Sequence, residues 1–138
     1  MVPETFEVVD EAGMRELGSS LAHRFASGDV VFLSGELGAG KTTLVRGILA
    51  ALGWSQEVRS PTFNLLHTYP NLSPPVVHAD LYRVASWQGI GIEDYLDSHL
   101  CLIEWPDRAV GLVGEGQAWR IEIEFAGDGR RVRIWEAT

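Results

Sequence analysis

After Asp10, apolar residues recur at the spacing of an amphipathic helix: Met14, Leu17, Leu21 and Phe25 fall on one stripe, with Asp10 as N-cap and Gly28 as the stop. Thr5 to Val9, just before it, reads as a short strand. A second helical stripe, Leu44, Ile48 and Leu52 with Val45 and Leu49, ends at Gly53. Between the stripes Val30 to Leu33 is apolar without interruption, as expected of a parallel strand covered on both faces. Val76-Val77-His78-Ala79 and Leu100-Cys101-Leu102-Ile103 repeat that pattern, and each delivers a carboxylate at its end, Asp80 and Glu104. Trp119 to Phe125 and Val132 to Ile134 instead alternate apolar with charged residues around Gly127-Asp128-Gly129, which predicts a C-terminal antiparallel hairpin with one wet face. Tyr69 to Pro75 holds three of the six prolines and reads as a surface loop. Strands separated by helices and closed by a hairpin predict an α/β fold, a mixed sheet with flanking helices. No repeat or linker interrupts the pattern, so residues 1–138 read as one domain.

The junction of the Val30 strand with the second helix carries the chemistry. Residues 35–42, Gly-Glu-Leu-Gly-Ala-Gly-Lys-Thr, match the phosphate-binding pattern G-x-x-x-x-G-K-[ST] at every fixed position, in the strand–loop–helix order that the P-loop motif requires. Backbone N–H groups of Leu37, Gly38, Ala39, Gly40, Lys41 and Thr42, with Thr43 next along the helix, converge on phosphates at a helix N-terminus, where the partial positive charge lies. Lys41 reaches the β- and γ-phosphates and the Thr42 hydroxyl ligates magnesium. A nucleotide triphosphatase also needs an acid beyond the loop. Asp80 and Glu104 both qualify, because ligands of open α/β sheets bind beyond the carboxyl ends of strands. Ser60-Pro61-Thr62-Phe63 leaves two readings open, a switch segment whose Thr62 hydroxyl senses the γ-phosphate or a Ser-Pro turn opening a strand.

Composition narrows the setting. Eleven Lys and Arg stand against 19 Asp and Glu, a formal net charge of -8, which repels nucleic-acid backbones and anionic membranes; any RNA role runs through a partner. Ten of the eleven basic residues are arginine, and the one lysine is Lys41. The apolar runs are far shorter than the roughly 20 residues of a spanning helix. The start of the chain lacks the features of a secretory signal, and the single cysteine, Cys101, has no internal partner, so cytoplasmic residence is expected. His23, His67, His78 and His99 show no metal-ligand spacing and read as bland.

Taken together, SGELGAGKTTLVRG (34–47), SPTF (60–63), HADLYR (78–83) and CLIEWP (101–106) resemble, in order and spacing, the TsaE family, formerly YjeE. The family core reads HFDLYRL, so Ala79 is a mild departure that leaves the aspartate in place. The resemblance implies a small P-loop NTPase-like fold that binds ATP or ADP with Mg2+, hydrolyses ATP weakly alone, and docks on TsaD, which transfers threonylcarbamoyl to tRNA adenosine, and its scaffold TsaB, resetting or regulating that pair through ATP turnover. It implies further that Lys41 binds phosphate, that Thr42 and Glu104 ligate magnesium, that Asp80 and Thr62 assist near the γ-phosphate, and that Trp105 lies beside the nucleotide or a partner. For the positive charge a γ-phosphate requires, Arg59, Arg83, Arg108 and Arg131 are the candidates in cis, with a partner as the source in trans. A small-metabolite kinase and a non-hydrolysing nucleotide-binding module are the alternatives.

Overall fold

The three uninterrupted apolar runs lie side by side at the centre of one sheet. The computed structural model describes residues 2–36, 38–58 and 65–138, and among these seven strands pair: β1 Glu4–Val8, β2 Val30–Ser34, β3 Leu66–Tyr69, β4 Val76–Asp80, β5 Leu100–Glu104, β6 Trp119–Ala126 and β7 Gly129–Trp135. Their order is β1-β7-β6-β2-β5-β4-β3. β4, β5, β2 and β6 are mutually parallel, whereas β3 runs antiparallel to β4 at one edge and, at the other, β7 lies antiparallel between β6 and β1. The sheet is therefore mixed, as predicted, and the hairpin joins it through a parallel pairing of β6 with β2.

Strand periodicity of two sorts the side chains between the faces. Val31, Leu33, Val76, Leu100, Leu102, Ile121, Ile123, Val132 and Ile134 pack under α1 (Glu11–Ala22) and α2 (Lys41–Ala51). Val30, Val77, Ala79, Cys101 and Ile103 face the other way, where Leu81, Ile92, Ala109, Leu112 and Ala118 from the connections 81–99 and 105–118 close over them. Both α-helices thus cover one face. The continuous apolar runs are those buried on both faces, and β6 and β7 alternate because their second face is wet.

The two helices touch backbone to backbone. A Cβ on Gly18 would stand 2.4 Å from the Leu44 carbonyl oxygen, and one on Gly47 2.2 Å from that of Arg15. Ser19 Oγ donates to the Gly47 carbonyl across the same crossing (3.2 Å). This approach brings Met14 of α1 against Gly40, at the start of α2.

Boundaries differ from expectation at several places, and β1 lies one residue early, at Glu4–Val8 rather than Thr5 to Val9. Helix α1 ends at Ala22, before Phe25 and Gly28. Arg24 and Phe25 then donate to the carbonyls of Leu21 and Ala22 in tighter three-residue turns. These turns swing the Phe25 ring edge-on to Trp119, centroids 4.9 Å apart. Phe25 is buried as the stripe implied, but not from a helix, and Gly28 serves a later turn whose N–H donates to His99 (3.0 Å). Tyr69, expected in a loop, closes β3 instead, because its ring is buried against Trp54 at 4.7 Å.

Candidate functional site

Register decides where the chemistry meets. Leu33 pairs with Glu104 and Glu104 with Asp80, so three adjacent parallel strands end together. β2 runs from there into the glycine loop, and β4 and β5 present their terminal carboxylates at the same edge. Asp80 and Glu104 share strand parity with Val76 and with Leu100 and Leu102, which places both on the face covered by α2. A cleft of about 300 Å³ lies between them and the loop, lined by Gly38, Lys41, Thr42, Asp80, Glu104 and Trp105 among others.

The loop has an open, glycine-dependent form. Gly38 (φ 82°) and Gly40 (φ 117°) occupy the left-handed region, which side-chain-bearing residues rarely adopt. A Cβ on Gly38 would meet nothing within 4 Å, and one on Gly40 would meet Met14 Cε at 3.0 Å. Leu37 and the Ser60-Pro61-Thr62-Phe63 segment lie outside the described residues, so the readings of Leu37 and Thr62 gain no geometry here. Ala39 is buried under the loop, and Thr43 lines a neighbouring cavity of about 260 Å³ with Val8, Met14 and Arg130. That cavity shares Gly38 and Gly40 with the first.

Lys41 is only 6% exposed. Its Nζ donates to the Gly35 carbonyl (2.6 Å) and stands 4.1 Å from the centroid of the Trp105 ring, a cation–π arrangement. Burial lowers its pKa, against the opposing pull of Glu104 and Asp80. Asp80 is shifted up, chiefly by burial, although the Tyr82 N–H donates to its Oδ1 at 3.0 Å and resists the shift. A lysine and two carboxylates, each partly stripped of water, face one space. Oxygen donors of this hardness, a hydroxyl and carboxylates, suit Mg2+, and the open glycine cradle suits phosphate oxygens, so the residues fit the groups the motif implies. Among the described residues no three His, Cys, Asp or Glu gather as a metal site; a cation at this cleft would need oxygens from the phosphates as well.

Trp105 holds its ring over Lys41 at a backbone cost, since its φ of 62° is the one positive value among described non-glycine residues; such a conformation costs about 1–3 kcal/mol. Tyr82 packs on the same ring at 4.7 Å, and Arg108 donates to the carbonyls of Leu81 and Tyr82 (3.3 and 3.0 Å), pinning the turn that carries it. Arg108 is thereby engaged as a brace. Arg131 pairs with Glu7 and Glu124 on the wet face of the sheet, away from the cleft, Arg83 is exposed, and Arg59 lies outside the described residues.

Besides Tyr82, two residues at the site were not singled out by sequence. Arg130 donates to the loop carbonyls of Ala39 (3.0 Å) and Gly38 (3.4 Å), tying the hairpin to the loop; neighbouring arginines 130 and 131 point to opposite faces, and alternation along β7 is the signal that separates them. His78, read as bland, is fully buried with Nε2 2.6 Å from Glu104 Oε2. The signal here is parity, since His78 lies two residues before Asp80 on the same face of β4.

The sheet order, the loop and its helix define a P-loop NTPase-like fold. The chain superposes on a solved structure described as the crystal structure of Bacillus subtilus YdiB with a TM-score of 0.85, over 100% of this chain and 88% of that one, at 28% identity. The family model for TsaE, threonylcarbamoyl adenosine biosynthesis protein TsaE, matches residues 8–133, and the chain belongs to the TsaE family. Relatives bearing the name tRNA threonylcarbamoyladenosine biosynthesis protein TsaE include one from Streptomyces coelicolor, 41% identical over 119 residues (82% of this chain, 80% of the relative). Another, from Haemophilus influenzae, is 38% identical over 109 residues (76% and 68%).

Proposed function

We propose that this chain binds ATP or ADP with Mg2+ in the cleft, hydrolyses ATP slowly by itself, and serves tRNA threonylcarbamoyladenosine biosynthesis in the cytoplasm through a TsaB–TsaD pair that gates its turnover. Membership of the TsaE family supports the biosynthetic role. The observation that carries the nucleotide reading is the convergence of the Lys41 ammonium with two in-register strand-end carboxylates beside a positive-φ glycine loop. Among the described residues no helix is long and apolar enough to cross a membrane.

Bound Mg2+ would neutralise phosphate charge. The chain's own residues do the rest of the work. Backbone N–H groups from Gly38 to Thr42 orient the phosphates at the N-terminus of α2, and Lys41 leaves Gly35 and Trp105 to neutralise their outer oxygens. Thr42 and Glu104 would hold the cation, and Asp80 would orient the attacking water. The 260 Å³ cavity between Val8, Met14 and Arg130 adjoins the loop and offers room for the nucleoside end. Nothing basic beyond Lys41 reaches into the cleft among the described residues; a docked partner completes the charge, which accounts for slow turnover alone.

Titration of a fluorescent ADP, followed by phosphate release from ATP with and without TsaB and TsaD, tests the reading. Phosphate release without any acceptor alcohol separates hydrolysis from a kinase, and binding without release would identify a non-hydrolysing module. The partner pair should bind with different affinity in ATP, ADP and no nucleotide, because coupling between sites is reciprocal. Identical affinities in all three would remove the gating.

A further inference from the structure

Outside the groups already given roles, His78 is the one whose surroundings constrain its chemistry most tightly. It is fully buried, and Glu104, the acid it touches, is 3% exposed. Register places His78 beside Leu102 and diagonal to Glu104, on the α2 face of adjacent parallel strands. Its Nε2 stands 2.6 Å from Glu104 Oε2, while its Nδ1 is buried with no hydrogen-bond partner among the described residues.

At 2.6 Å a proton lies between Nε2 and Oε2, and the surroundings decide which atom carries it. If the ring carries its proton only on Nδ1, a bare Nε2 lone pair faces a carboxylate oxygen at 2.6 Å and the buried Nδ1–H meets no acceptor among the described residues. A protonated Glu104 donating to Nε2 leaves the same Nδ1–H without an acceptor among the described residues. A ring protonated on Nε2 instead donates to the Glu104 carboxylate, the arrangement the 2.6 Å contact favours. The resulting bond is short and charge-assisted.

We infer that His78 is a positioning residue: its Nε2–H holds Oε2 of Glu104, so the carboxylate presents its other oxygen to the cleft in a fixed orientation. The inference rests on the proposed nucleotide reading for its effect on turnover, but not for the location of the proton. A free Glu104 carboxylate at the end of β5 could rotate about its last torsion; one tied at Oε2 cannot without breaking a buried hydrogen bond. The restraint resembles the outer-layer hydrogen bonds that orient metal-binding carboxylates, whose loss typically costs about 10–100-fold in affinity or activity.

The proton location is read directly in the wild-type, nucleotide-free protein by nitrogen-15 NMR of the imidazole at neutral pH. Nε2 should show the shift of a protonated nitrogen; a bare Nε2 would overturn the inference without reference to nucleotide. The positioning is read from two substitutions. His78→Gln keeps a donor near the Nε2 position, whereas His78→Asn has a similar amide that reaches only as far as Nδ1. His78→Asn should lower kcat for ATP about 10-fold or more and raise the Mg2+ concentration for half-maximal turnover, with ADP affinity in the absence of Mg2+ within about 2-fold of wild type. His78→Gln should recover at least about a third of the lost turnover. Equal turnover in His78→Asn and wild type, with Lys41→Ala strongly impaired, would remove the positioning role alone. If Lys41→Ala is also unimpaired, the nucleotide reading falls and the effect on turnover falls with it.

Discussion

The two halves of the sheet treat charge in opposite ways. On β4, β5 and β2 both faces are covered, and the charged groups at the strand ends, Lys41 and Glu104, are buried with Asp80 half-buried beside them. On β6, β7 and β1 the second face carries Glu7, Arg120, Glu122, Glu124, Arg131 and Arg133, joined in exposed pairs such as Arg131–Glu7 (2.8 Å) and Arg133–Glu124 (2.8 Å). Exposed pairs gain little, about 0–1 kcal/mol each, because water and salt screen them. Groups moved out of water must find specific partners or cost far more. A charge in the covered half therefore does work that a neighbour cannot replace, whereas one in the wet half keeps the face soluble and the hairpin in register.

Substitutions that exchange the behaviour of the two halves test this contrast. The largest expected effect is in Glu104→Gln, which keeps size and the Nε2–H acceptor but removes the charge facing the cation. Turnover should fall about 100-fold or more while ADP affinity changes far less, measured by phosphate release and by fluorescence titration. Comparable loss in Asp80→Asn with none in Glu104→Gln would reverse the two acids. Next is Lys41→Ala, which should weaken ATP binding or turnover 10-fold or more, at least ~1.4 kcal/mol, with circular dichroism unchanged.

Asp80→Asn separates stability from chemistry. Burial raises the Asp80 pKa in the fold, so its ionised form at neutral pH is held at a cost to folding, and the cost is relieved as pH falls through the raised value. The asparagine keeps the acceptor for Tyr82 N–H without the charge. The nucleotide-free melting temperature should rise by a few degrees, about 1–4 °C, as hydrolysis drops. A lower melting temperature would show that the carboxylate is better compensated than its burial implies. The smallest effect belongs to the wet half: Arg131→Ala should leave the melting temperature and turnover close to wild type, because water and salt screen its exposed pairs. A large loss of turnover there would return Arg131 to the cleft.

The same contrast governs what could be read from the sequence. Uninterrupted apolar runs announced the covered strands, and because each ended in a carboxylate, the loop and both acids could be assigned to one edge from order alone. The fixed spacing of the glycine loop carried Lys41 and Thr42 directly. What the sequence concealed depends on pairing between distant segments. His78 gained its role from a diagonal contact to a strand 26 residues on. Arg130 differs from Arg131 by a single step of the pleat. The apolar stripe overruns the end of α1 because the turns that follow Ala22 carry Phe25 toward Trp119, a contact far away in sequence that outweighs local periodicity.

Lys41 is the only lysine in the sequence, and its ammonium is shielded under an indole ring and held by a carbonyl. Reagents that acylate side-chain amines, which scatter over dozens of surface positions on ordinary proteins, therefore have one side chain to find here, inside the cleft. Its lowered pKa leaves more of the reactive free amine at neutral pH than a surface lysine would have. A single mass increment on one peptide then becomes a gauge of how open the loop is, readable in crude mixtures and in assemblies too large for spectroscopy, and anything that occupies the loop should slow its appearance.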